Sequence, residues 1–410
     1  MNSELIRKDF PILNTKVNGH QIVYFDNAAT TQRPLPVVNA VADYVLHENG
    51  NPHRGAHIFA ISASEAYDTS KEVVRKFLNA KSAKEIIYTR NTTESLNLVA
   101  RSYGETHIHK GDHILITIAE HHSNLVTWQR VAQKTGAVLD YIYVDKKTGH
   151  FPEEELKKID DPRVKLFAFA EVSNVLGIDF DPKPLIERAH AHGAIVVLDG
   201  AQSTPHKRVD VQDLGCDFFA FSGHKMCSMG GIGVLYGREE LLNDMEPFMM
   251  GGDMIEDVHE QETTFAELPA KFEAGTQYVE GAVSLVAAIK YVEAIGYDEI
   301  RAQERRLVTR CLEGMKRLPF IHIIGPTNPE EKEGLVAFEV EGVHPHDVAQ
   351  ILSAKGICIR TGHHCAEPLH YYLGINASCR ASFYFYNTVD EVDYFLKELK
   401  DVRKVMGYDD

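Results

Sequence analysis

The stretch AIVVLDGAQ, residues 194–202, decides the fold of this chain of 410 residues. It opens with five apolar residues in succession, a pattern typical of a strand that is covered on both faces of a parallel sheet. The strand ends on Asp199. A carboxylate with so little solvent around it requires a cationic partner, unless it only caps the next segment, and both interpretations stay open at this point.

Six similar apolar runs accompany this strand. They lie at 85–90, 113–117, 138–144, 164–170, 218–222 and 233–237. Amphipathic stretches lie between most of them, and the one at 181–193 ends on Gly193, a favourable helix stop. Strands and helices in alternation predict an α/β fold with a large, doubly wound, mainly parallel sheet.

The pattern changes after about residue 280. A long helical stretch at 282–296 precedes a second set of elements, with strands predicted at 334–340 and 357–361 and a solvated loop at 327–334. Because one hydrophobic core rarely grows beyond about 250–300 residues, two domains are expected. We predict a large domain over 21–284 and a smaller C-terminal α/β domain over 285–410, with residues 1–20 packing on the smaller one.

Charge and cysteine content exclude several classes of protein. The formal net charge is −16, and such a surface repels phosphate backbones and anionic lipids, so neither nucleic acid nor a membrane is expected as a partner. No apolar run approaches the ~20 residues of a membrane-spanning helix. Six cysteines without a C-x-x-C pair and an N-terminus unlike a signal peptide predict a cytoplasmic protein with reduced thiols.

Polar residues follow two of the strands. Asn91 and Glu94 have the spacing of a capping box, which indicates either a well-capped helix or a phosphate site at its N-terminus. Lys225 follows the strand 218–222 in the run SGHK. It either extends its amine to solvent or is desolvated, which lowers the pKa of the amine and makes it nucleophilic.

Lys225, Asp199 and the helix start at Asn91 together meet the needs of one cofactor. Pyridoxal 5'-phosphate requires a lysine to attach it, an acid beside its pyridinium nitrogen and a site for its phosphate. In open α/β sheets these groups meet at the carboxyl ends of the strands. No G-x-G-x-x-G follows the first strand, so a nicotinamide dehydrogenase is disfavoured.

The motifs DGAQ (199–202), SGHK (222–225) and RTGHHCAEPL (360–369) resemble those of the class V aminotransferase group of fold-type I pyridoxal-phosphate enzymes. More closely, they resemble those of cysteine desulfurases of the SufS type. The likeness covers nearly the whole chain through further motifs, namely DNAAT (26–30), HRG (53–55), TTE (92–94), EHHSN (120–124), VSNVLG (172–177), FEAGT (272–276) and SCRAS (378–382).

The resemblance implies a cofactor role for each matching residue. Lys225 would attach the cofactor and move the Cα proton, Asp199 would pair with the pyridinium nitrogen, and Gln202 would bond the phenolic oxygen. His121 would stack on the ring, with His122 as its rival in the EHH motif. The phosphate would be bound by the side chains of Thr93, Ser222, His224 and, from the second subunit of a homodimer, Thr276.

The resemblance also explains the cysteine in RTGHHCAEP, residues 360–368. Arg380 would bind the carboxylate of L-cysteine beside Asn174, with Arg360 at the mouth of the site. Cys365 would attack the substrate sulfur as a thiolate, keep it as a persulfide and leave L-alanine. Its activation by Arg360 or by either preceding histidine stays open.

Other interpretations remain at this point. A selenocysteine lyase would use the same fold with L-selenocysteine as substrate. A zinc-binding or scaffold protein would use His363, His364, Cys365 and His370, but adjacent ligands suit one tetrahedral ion poorly. The short cysteine segment favours a small sulfur-acceptor protein of the SufU or SufE type, in the service of iron–sulfur cluster assembly.

The sequence departs from the family at four places. Ser228-Met229 stands where Gly-Pro is usual, Asn91 replaces a frequent glycine, and Glu171 replaces a frequent histidine. Glu367 stands two residues after the cysteine, where an uncharged residue is common, and its carboxylate could raise the pKa of the thiol. None of the four removes a catalytic group.

Overall fold

A computed structural model describes residues 3–53 and 55–408. The helices are α1 (Ser3–Arg7), α2 (Leu35–His47), α3 (Ile58–Leu78), α4 (Thr92–Val99), α5 (Glu105–His107), α6 (Val126–Thr135), α7 (Glu153–Leu156), α8 (Pro182–Ala191), α9 (Val211–Leu214), α10 (Glu239–Asp244), α11 (Val279–Ile295), α12 (Tyr297–Met315), α13 (Pro345–Ala354), α14 (Glu367–Leu373), α15 (Val389–Lys400) and α16 (Val402–Val405). The strands are β1 (Lys16–Val17), β2 (His20–Gln21), β3 (Val23–Tyr24), β4 (Ile86–Thr89), β5 (His113–Thr117), β6 (Val138–Ile142), β7 (Val164–Ala170), β8 (Ile195–Asp199), β9 (Phe218–Ser222), β10 (Gly233–Gly237), β11 (Ile255–Val258), β12 (Thr263–Phe265), β13 (Ile321–Ile324), β14 (Leu335–Val340), β15 (Ile357–Cys358), β16 (Arg360–Gly362) and β17 (Ser378–Ser382). Arg54 of the HRG motif lies outside the described residues, and no helix among the residues described is long and apolar enough to cross a bilayer.

A seven-stranded sheet forms the larger part of the fold, in the order β4-β10-β9-β8-β7-β5-β6. β10 runs antiparallel to both of its neighbours, and the other strands are parallel to one another. The prediction of a mainly parallel sheet is confirmed, and each of the seven predicted strands is present with ends shifted by at most two residues.

Both faces of this sheet are covered, which explains the unbroken apolar runs. Leu198 and Phe219 pack in a core on the face covered by α3 and α11. Val197 and Phe218, each one residue earlier, pack in a separate core on the opposite face with α4 and α6. Neighbours in a strand point to opposite faces, so both must be apolar when helices lie on each side.

The second unit is built on a four-stranded antiparallel sheet in the order β13-β14-β17-β16. Helices α12, α13 and α15 cover it and share its apolar core. β3 pairs in parallel with β15, and Val23 and Phe25 are buried in this same core. The domain boundaries at residues 20 and 284 stay a prediction, and residues 23–25 pack with the C-terminal unit.

The N-terminal segment packs on both units. Phe10 is fully buried against Tyr291 of α11 and Tyr386 of the C-terminal unit. The guanidinium of Arg7 donates to the carbonyl of Tyr386 at 2.9 Å and pairs with Glu391 at 2.9 Å. The segment therefore joins α11 to the end of the C-terminal sheet.

The prediction of a solvated loop at 327–334 is wrong at its second half. Lys332 is only 3% exposed, and its amine donates to the carbonyls of Leu176 and Ile324 at 2.9 and 3.0 Å. The charged residues of this segment suggested a solvent-exposed loop, but the long side chain of Lys332 instead links the turn at 172–177 to β13. A lysine whose acceptors are backbone carbonyls cannot be recognised from local sequence.

The close approach of β10 to the start of α4 is testable. A Cβ added to Gly233 would lie 2.6 Å from the Cα of Asn91, whose backbone cannot move without displacing α4. We expect Gly233→Ala to destabilise the protein by about 1–3 kcal/mol, measured by denaturant-induced unfolding. Gly230→Ala is the matched control, because its Cβ would meet no atom within 4 Å; equal losses from both variants would contradict the packing argument.

Candidate active site

A cavity of about 270 Å³ lies where the carboxyl ends of the large sheet meet β16 and β17. Eleven of the twelve residues predicted for the site line this cavity. They are Thr93, His121, Asn174, Asp199, Gln202, Ser222, His224, Lys225, Arg360, Cys365 and Arg380. The two units thus contribute to a single site, as expected for ligands at the strand ends of α/β sheets.

Lys225 and Asp199 form the charged centre of the cavity. Lys225 ends the 3-10 turn Gly223–Lys225, directly after β9. Burial lowers the pKa of its amine to about 8, and the nearby carboxylate of Asp199 opposes this shift. Asp199 is 4% exposed, and its carboxylate accepts from the N–H of Ala201 at 2.9 Å. The cavity therefore holds an amine that is partly neutral near neutral pH, close to the buried carboxyl group of Asp199.

His121 is neutral in this site. Burial, and then the charge of Lys225, lower the pKa of its ring to about 3. Its Nδ1 accepts from the backbone N–H of Ser123 at 3.2 Å, so the proton of the neutral ring lies on Nε2. A neutral ring suits stacking on a cationic pyridine system better than an imidazolium would.

His224 and Gln202 are oriented by neighbouring backbone and hydroxyl groups. Burial lowers the pKa of His224 to about 4, and its Nδ1 lies 3.2 Å from the hydroxyl of Thr30. The amide of Gln202 donates to the carbonyl of Ala28 at 2.8 Å, which leaves a second N–H available. That donor is of the kind that a phenolic oxygen requires.

The start of α4 forms the other end of the cavity. Asn91 caps the helix by accepting from the N–H of Glu94 at 3.0 Å. The reciprocal bond of a capping box goes one residue further back, since Glu94 accepts from the N–H of Arg90. Ser222 accepts from the N–H of Thr92 at 2.8 Å, which brings β9 to this helix end. The N–H groups at the start of α4 and the hydroxyl groups beside them are together suited to bind a phosphate.

Arg380 lies in the wall contributed by the C-terminal sheet. It is 3% exposed, and it donates to the backbone carbonyl of Asn174 at 2.9 Å. Asp26 of the DNAAT motif lies 3.6 Å from Arg380 and 3.8 Å from Arg360. Sequence reasoning assigned Asp26 no role, because its two partners lie far from it in the sequence. Asp26 lies within ion-pair distance of both guanidiniums.

Three hydrogen bonds fix the cysteine segment between β16 and α14. The amide of Asn174 donates to the carbonyl of His364 at 2.6 Å, and the N–H of His122 donates to the carbonyl of Cys365 at 2.6 Å. The N–H of Glu367 donates to Nε2 of His122 at 3.0 Å. His122, the rival of His121 for the ring, thus binds the cysteine segment instead.

The departures from the family pattern have local partners. The hydroxyl of Ser228 lies 2.7 Å from that of Ser284 in α11. The buried carboxylate of Glu171 pairs with Lys207 at 2.5 Å. Glu367 accepts from the hydroxyl of Tyr371 at 2.6 Å, which engages its carboxylate on α14.

Thr276 is the one predicted residue that does not line the cavity. It lines a separate depression with Arg90, Gly231 and Tyr278. Its loop is fixed by Glu273, whose carboxylate pairs with the buried amine of Lys71. A role for Thr276 at a second subunit's site stays a prediction.

The residues present fit pyridoxal 5'-phosphate. An amine with a lowered pKa, a buried acid, a neutral imidazole and a helix N-terminus with hydroxyl groups line one cavity. Lys225 would attach the group, Asp199 would pair with its ring nitrogen, and the α4 end would bind its phosphate.

Comparison with known proteins agrees with this arrangement. The aminotransferase class-V family model matches residues 23–395. A probable cysteine desulfurase of Halalkalibacterium halodurans is 47% identical over 408 residues and covers 100% of both chains. One of Staphylococcus aureus is 44% identical over 402 residues, which is 98% of this chain and 97% of that protein.

Two solved structures are similar over almost their full length. An apo cysteine desulfurase from Thermococcus onnurineus NA1 has a TM-score of 0.93 and 43% identity, with 98% of each chain covered. A cysteine desulfurase from Escherichia coli in an S-sulfonic acid form has a TM-score of 0.89 and 36% identity, with 99% of each chain covered. With the matched model over residues 23–395, these likenesses establish that the chain belongs to the class V aminotransferase family.

Proposed function

We propose that the protein is a pyridoxal-phosphate-dependent cysteine desulfurase, which converts L-cysteine to L-alanine and keeps the sulfur atom as a persulfide on Cys365. The observation that carries this proposal is the presence of Cys365 and Lys225 in the wall of one cavity. Identities of 47% and 44% to probable cysteine desulfurases support it. A transaminase would need the lysine but not the thiol.

Different side chains of the cavity bind the substrate and transfer its proton. When bound, pyridoxal phosphate withdraws electrons from the Cα of an amino acid joined to it. Arg380 binds the substrate carboxylate, and Asp26 holds its guanidinium in place. Lys225 can take up the Cα proton, because its lowered pKa leaves a larger neutral fraction at neutral pH than an ordinary lysine has.

Cys365 then accepts the sulfur atom. Its thiolate forms a bond to the substrate sulfur, the C–S bond of the substrate breaks, and the former Cβ takes up a proton to give alanine. The thiol is exposed at the mouth of the cavity, so the persulfide can be reached from outside.

We further propose a small sulfur-acceptor protein of the SufU or SufE type and a role in iron–sulfur cluster assembly. The cysteine segment is short, and His122 and Asn174 fix its backbone, so Cys365 cannot travel to a distant site. An acceptor must therefore come to the exposed thiol.

A homodimer in the cytoplasm completes the proposal. Large apolar side chains are exposed on and near α2 and α3, among them Leu46, Ile58 and Phe59. Such a patch favours burial by a second copy of the chain, and Thr276 lies outside the cavity of its own subunit. The cysteines among the described residues are all free thiols, as a reducing compartment requires.

Replacement of the thiol tests the activity. We expect Cys365→Ala to reduce alanine release from L-cysteine by at least about a hundredfold, because the nucleophile is lost while the cofactor residues remain. Alanine formation in the purified holoenzyme is the measurement, with L-selenocysteine as a parallel substrate. Cys358→Ala, at the other partly exposed cysteine of the C-terminal unit, is the control. Alanine release at the wild-type rate by Cys365→Ala would disprove the persulfide route.

The pH dependence of cofactor attachment tests the state of Lys225. A protonated amine cannot attack, so the rate of reconstitution of the apoprotein should rise with pH through about 8 and then level off. An ordinary lysine, with a pKa near 10.4, would give a rate that still rises above about pH 9. Visible absorbance after mixing measures the rate. Asp199→Asn removes a charge that favours the cation and should move the plateau to lower pH.

A further inference from the structure

Behind Cys365, polar side chains form a hydrogen-bonded series that the steps above do not use. The ring of His370 has Nδ1 at 3.0 Å from the carbonyl of Ala366, which can only accept. Burial lowers the pKa of His370, so its ring is neutral with the proton on Nδ1. Its Nε2 must then accept, and the hydroxyl of Ser378 lies 2.9 Å away as the donor.

This series fixes the tautomer of His364. The hydroxyl of Ser378 donates its proton to His370, so the oxygen of Ser378 accepts from Nε2 of His364 at 2.9 Å. The neutral ring of His364 therefore carries its proton on Nε2 and its lone pair on Nδ1. The fold determines this assignment through the carbonyl of Ala366, three groups away.

The lone pair on Nδ1 has no donor. His364 is 6% exposed, and among the described residues its Nδ1 has no hydrogen-bond partner. A buried acceptor left in this state destabilises the free protein. His364 lines the same cavity as Cys365, the next residue in the chain, whose S–H is a donor. The series thus orients a free acceptor on the residue next in the chain to the thiol, although no hydrogen bond joins the two in this structure.

We propose that His364 is the base that activates Cys365, and that it does so when the substrate carboxylate is bound to Arg380; this inference rests on the desulfurase function proposed above. The proton of Cys365 moves from Sγ to Nδ1 of His364. The thiolate then attacks the substrate sulfur, the electron pair of the C–S bond goes to Cβ, and His364 returns the proton towards that carbon. One thiol and one cysteine give one persulfide and one alanine, so no external oxidant or reductant is required.

The charges around His364 explain why a substrate is needed. The guanidiniums of Arg380 on β17 and Arg360 on β16 act on the ring through their charge, and the neutral ring of His370 on α14 lies 5.7 Å from it. Burial first, and then the charge of Arg380, lower the pKa of His364 to about 2. In the free protein the ring therefore cannot hold the thiol proton. A carboxylate on Arg380 offsets the largest opposing charge and raises the basicity of the ring.

In this arrangement the base is available to Cys365 only when substrate is bound. The thiolate is the form that alkylating agents and oxidants attack. An exposed thiol whose base acts only in the presence of substrate is therefore less open to these agents between turnovers.

Alkylation of Cys365 in the holoenzyme tests the inference without reliance on turnover. Iodoacetamide is added at several pH values, with and without L-alanine as the carboxylate-bearing ligand, and the rate at Cys365 is followed by mass spectrometry. We expect L-alanine to accelerate alkylation near neutral pH by about tenfold, because iodoacetamide attacks the thiolate that the base produces.

His364→Gln is the decisive variant, because its amide can still donate to Ser378 but offers no basic nitrogen. The acceleration by L-alanine should be lost in this variant and retained in His363→Asn, whose side chain takes no part in the series. Acceleration by L-alanine in His364→Gln equal to that of the wild type would overturn the proposal, and so would its absence in the wild type.

A second variant covers the case in which His364→Gln does not retain the cofactor, as judged by visible absorbance. Ser378→Ala leaves both imidazoles but frees the tautomer of His364, so the acceleration should fall by at least about twofold as the proton is shared between the two nitrogens. An unchanged acceleration there would also contradict the proposal. Failure of the desulfurase function itself would show separately, as alanine release that survives Cys365→Ala.

Discussion

The site depends on one contact between the two units, made by Asn174. Its side-chain amide donates to the carbonyl of His364, and its backbone carbonyl accepts from Arg380. Asn174 lies in the turn after β7, whereas its two partners come from the C-terminal sheet region. The same residue thus fixes the carboxylate-binding guanidinium and the cysteine segment relative to the strand ends that carry Lys225 and Asp199. Without this contact the guanidinium and the cysteine segment would lose their shared attachment to the large sheet.

Burial of several charges in one cavity is costly, and the way it is offset explains the chemistry. The charge of Lys225 is opposed by the nearby carboxylate of Asp199, and that of Arg380 by Asp26. In each pair desolvation still dominates, so the pKa of Lys225 falls to about 8 and that of Arg380 to about 10. Arg380 consequently stays cationic and binds anions, whereas Lys225 can exchange a proton near neutral pH. Similar degrees of burial give different functions because a guanidinium and an amine start from different pKa values.

Local sequence predicted those features whose cause is local. Strands buried on both faces must be apolar throughout, so the sheet could be predicted from the sequence. Asp199 and Lys225 could be predicted as well, because they lie at the ends of its strands. The partners of Asp26, Lys332 and His364 could not be predicted. Arg380 and Asp26, for example, are 354 positions apart and share no periodicity. The carbonyl acceptors of Lys332 belong to the backbone, which any residue supplies. The roles of Cys365 and His121 came from resemblance to a family, and the sequence pattern alone would have left His122 as an equal candidate.

The backbone at the cysteine explains how a short segment can place a sulfur atom accurately. His364 and Cys365 have φ values of +52° and +57°, a left-handed conformation that costs non-glycine residues about 1–2 kcal/mol each. The hydrogen bonds from Asn174 and His122 act on the carbonyls of these same two residues, so the groups that offset the strain are those that fix the position of the thiol. A looser segment would avoid the strain, but it would release both carbonyls and with them the position of the His364 ring. The strained geometry therefore persists because it joins the thiol, the histidine series and the large sheet in one arrangement.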